Sequence, residues 1–91
     1  SLQDVMSQFD QFSRNLKKIP ESEEFRQIEK DLKALADKMI ASGEAAKKTI
    51  QEEIIPELEK QVNILRDRLK SLGRENEVEP LEVEIEKLRS I

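Results

Sequence analysis

The sequence predicts an all-α fold, an antiparallel three- to four-helix bundle or helical hairpin with coiled-coil-like a/d seams. Three observations predict it. Apolar residues recur at alternating steps of three and four along most of the chain. Two glycines and three prolines supply too few turns for a β-rich chain of 91 residues. Charged residues make up 40% of the chain, and the apolar set is mostly Leu, Ile, Val and Ala with three Phe. A chain of this length forms a single domain with a thin core.

The first helix is expected over 2–19, where Leu2, Val5, Phe9, Phe12, Leu16 and Ile19 form one seam and Met6 widens it. Ser1 and Asp4 approximate an N-cap box, and Pro20 disfavours helical geometry at Ile19. A second helix follows over 22–42, with Pro20 acceptable in its first turn and Glu21, Glu23 and Glu24 facing the positive end of its dipole. Its seam is Phe25, Ile28, Leu32, Leu35 and Met39, flanked by Ala36 and Ile40. Ser42-Gly43 stops it.

The third helix is expected over 44–72, beginning on Ala46, Ile50 and Ile54, steps of four that drift around an α-helix. It then tightens into Ile55, Leu58, Val62, Leu65, Leu69 and Leu72. Pro56 has no amide to give to the carbonyl of Glu52, so the helix should kink there, with a clean break as the alternative. Gly73 ends it. At about 43 Å against roughly 27 Å for the first helix, the third should overhang its neighbours and leave part of its stripe uncovered.

A short fourth helix over 80–90 carries Leu81, Ile85 and Leu88, with Val78 just before it and Pro80 in the first turn. The same stretch also alternates with period two through Leu81, Val83 and Ile85, as a half-buried strand would. A strand would need a partner, and no other segment offers one.

The chemistry available is narrow. With no His, Cys or Tyr, and with Ser7, Ser13, Ser22 and Ser42 in no nucleophile motif, the chain is not expected to be an enzyme. No cofactor is expected, since the two glycines make no phosphate cradle. Carboxylates alone, without a calcium-loop spacing, do not define a metal site. The absence of Cys also excludes disulfides and leaves the compartment open, the cytoplasm being the simplest assignment. The chain is expected to be soluble, because no apolar run nears the roughly 18 residues of a membrane span. It opens on Ser1 without an initiator Met, as a segment excised from a longer protein would.

A formal charge of −4, with Lys17-Lys18 and Lys47-Lys48 as short basic patches lacking adjacent aromatics, argues against nucleic acid as partner. The expected function is a non-enzymatic protein–protein interaction or oligomerisation module whose partner is another protein or a second copy of itself. Its candidate contact residues are Phe9 and Phe12 on the first helix and Leu58, Val62, Leu65 and Leu69 on the third. Core packing is the plainer role for Phe9 and Phe12. Two alternatives remain. An acidic inhibitor would use Glu75, Glu77, Glu79, Glu82, Glu84 and Glu86 to cover a basic protein surface. An amphipathic lipid-surface binder would open its helices on a membrane, which the net negative charge disfavours.

Overall fold

The computed structural model describes residues 2–91. The N-cap box expected from Ser1 lies outside the described residues. Helix α1 (Leu2–Lys17) buries Val5, Phe9, Phe12 and Leu16, the expected seam. It ends two residues before Ile19, whose extended backbone (φ −107°, ψ 105°) is what the following proline imposes. Residues Pro20–Phe25 form a 3-10 turn rather than the first turn of the second helix, and α2 is Arg26–Ser42. Ser22 belongs to the end of α1: its buried Oγ lies 2.7 and 2.6 Å from the carbonyls of Leu16 and Ile19. The two carbonyls also accept the amides of Ile19 and Ser22, 3.1 and 3.0 Å away, so the hydroxyl supplements turn hydrogen bonds at the corner.

Gly43 closes α2 in the left-handed conformation (φ 74°), its amide reaching Ile40 O and the amide of Glu44 reaching Met39 O. Gly73 (φ 69°) repeats the motif with Lys70 O and Leu69 O. Between them the chain is helical without a break: α3 (Ala46–Thr49), a π-helical segment (Ile50–Ile54) and α4 (Ile55–Lys70).

The π segment answers two questions that the sequence left open. Its wider turn, with the Ile55 amide bonding five residues back to Ile50 O, keeps Ala46, Ile50 and Ile54 on one face although they are four apart. It also disrupts the i→i−4 ladder beside Pro56, which sits near the start of α4 with no amide to contribute. The helix is neither broken nor interrupted at the proline itself; the adjustment lies one turn earlier.

The last stretch is helical, as a 3-10 turn (Glu75–Val78) and α5 (Glu79–Arg89). The strand alternative is overturned: a strand would turn Leu81, Val83 and Ile85 to one side, whereas Leu81, Ile85 and Leu88 are buried and Val83 is half exposed. No strand occurs among the described residues.

The helices alternate in direction. Asp10 pairs with Lys33 and Ser13 with Glu29, which fixes α1 antiparallel to α2. Arg66 pairs with Glu82 and Arg89 with Glu59, which fixes α4 antiparallel to α5. Close backbone packing runs from α2 to α1, from α1 to α5 and from α5 to α4. Helices α2 and α4 make no comparable approach along their length and are joined at the ends, by the Pro20–Phe25 turn and by α3. The result is an elongated four-helix bundle, 43 × 23 × 19 Å, that is open along one of its four seams.

The overhang expected from helix lengths does not leave a stripe bare. Leu58, Val62, Leu65 and Leu69 are buried under α5 and the turn before it. At the other end, the Gln51 amide group donates to the carbonyl of Ile91, tying the C-terminus alongside the π segment.

Candidate interaction surface

Helix α2 stands apart from the others in how little it buries. Of its sequence seam, Leu32 and Met39 pack against the core while only partly buried, Ile28 lines the cleft towards α4, and Leu35 is exposed. The residues that face the core directly are Phe25 in the preceding turn, Glu29 and Ala36. Ile28, Leu32 and Met39 are half-buried, and Leu35 is 40% exposed. The rotation is set from α1: the Ser13 hydroxyl donates to the Glu29 carboxylate and Lys33 donates to Asp10, and both draw the polar edge of α2 towards α1. The bond to Asp10 raises the pKa of Lys33 against the opposing effect of desolvation.

Between α2 and α4 lies an apolar cleft floored by Phe12, Leu16 and Leu65, with Ile28 and Gln61 at its sides. Its volume of about 10 Å³ holds little more than one water, so it is a packing gap at the open seam and not a ligand site. Arg68 closes the end of the seam by lying over the Phe25 ring, 4.9 Å from its centre, and pairing with Glu24. Ile64, 37% exposed, stands on the solvent side of α4.

The six contact positions expected from sequence are all interior. Phe9, Phe12, Leu58, Val62, Leu65 and Leu69 are each 2% exposed or less and belong to one continuous core, so the folded chain offers none of them to a partner. The exposed large apolar residues are instead Leu35, Ile64, Leu72 and Val83. Sequence reasoning placed Leu35 in a seam but had no means of telling that α1 would claim the Glu29 and Ala36 edge. Ala36 and Ile40 beside the seam were the available signal.

The expected acidic face is divided. Glu82 pairs with Arg66, Glu86 with Arg89 (2.9 Å), and Glu77 with Arg74 (2.5 Å). Glu84 is 5% exposed, with one oxygen 3.4 Å from Lys87. Glu75 is half-buried, and of the six only Glu79 stands exposed with no ion pair among the described residues. Arg74 also holds Glu21, 2.8 Å away, so it joins the two 3-10 turns at one end of the bundle. Its hydrogen bonds to Glu77, the largest cause, hold the Glu77 carboxyl below the usual range and raise the guanidinium.

Among the described residues no group of three or more carboxylates is placed to hold a metal ion, and no helix is long and apolar enough to cross a membrane. No family model, curated protein or solved structure matches the chain. Its class is therefore given by its fold alone: an all-α, up-and-down four-helix bundle with one seam open.

Proposed function

We propose that the chain is a non-enzymatic protein–protein interaction module that docks a helical partner on the outer face of α2, beside the open seam with α4. The observation that carries this reading is Leu35, 40% exposed in a row whose other members, Ile28, Leu32 and Met39, are only partly buried. Such a row at steps of four, three and four is what a partner helix packs against. Leaving Leu35 exposed forgoes burial worth roughly 25 cal/mol per Å².

The acidic-surface alternative has less behind it, because four of its six glutamates already meet a cation of this chain. The interaction reading is tested by Leu35→Glu with chemical denaturation. A docking residue on the surface should change stability by less than about 0.5 kcal/mol. A loss above about 2 kcal/mol would mean that Leu35 serves the core of the bundle and that the row is no docking face.

A further inference from the structure

We draw no further inference here: the strongest candidate, the polar groove between α1 and α5 lined by Ser7, Gln11, Arg14 and the buried Glu84, carries nothing, because Glu84 already meets Lys87 of its own helix (3.4 Å), the rest of the lining is exposed or half-buried, and nothing in the structure shows what would fill it.

Discussion

Ser22 is a small residue with a large local responsibility. Its hydroxyl serves the carbonyls of Leu16 and Ile19 where no water reaches, at the corner where α1 gives way to the 3-10 turn. Ser22→Ala removes that hydroxyl hydrogen bond while both carbonyls keep a backbone amide, and should cost about 1 kcal/mol, read as a shift in the denaturation midpoint with unchanged slope. Glu77 offers a different experiment. Arg74 lowers its pKa in the folded chain, so the pair adds stability above the pKa of the unfolded chain's glutamate, and loses it as pH falls through the depressed folded value. Glu77→Gln should therefore flatten the acid limb of a stability–pH curve and leave the limb above neutrality unchanged; an unaltered acid limb would mean that Arg74 holds Glu77 too loosely to matter. Lys33, whose pKa is raised chiefly by Asp10, has the opposite sense, its contribution being present below the ordinary lysine value and lost only as strongly alkaline pH passes the raised one.

At the scale of the elements, both glycines stop helices by adopting positive φ, and neither is crowded: a methyl group at Gly43 or Gly73 would meet no atom within 4 Å. The penalty for Gly73→Ala is thus purely conformational, about 1–2 kcal/mol, and Gly73→Asn should recover part of it because Asn tolerates the left-handed region; thermal melts of the two variants would compare them directly. The helices themselves were legible in the sequence because Val5, Phe9, Phe12 and Leu16, or Leu58, Val62, Leu65 and Leu69, repeat with helical period and each set is buried as a unit. The π segment was not legible. The four-residue steps at Ala46, Ile50 and Ile54 showed only that something must correct the drift, and Pro56 only that something must yield. The rotation of α2 was hidden for a related reason, since it depends on Ser13 and Asp10 of another helix and not on α2's own pattern. The six contact positions read from the sequence are buried. The most apolar stripes drew attention, and those are the ones a small bundle consumes first.

For the molecule as a whole, cohesion is uneven. Helices α1, α4 and α5 hold most of the core, to which α2 gives Ala36 alone among fully buried apolar residues. Native-state hydrogen exchange should accordingly find the amides of α2 opening at a lower free energy than those of α4, with α1 and α5 near the global value. Uniform protection across the four helices would show that the open seam costs α2 nothing. The π turn at Ile50–Ile54 has a consequence of another sort. It takes up one residue more than an α-helical turn while keeping the buried face in phase on both sides, so it is the stretch of the long helix where chain length is negotiable. A single-residue deletion there can be absorbed by reversion to an ordinary turn, whereas the same deletion between Leu58 and Leu69 would swing half of the core to solvent.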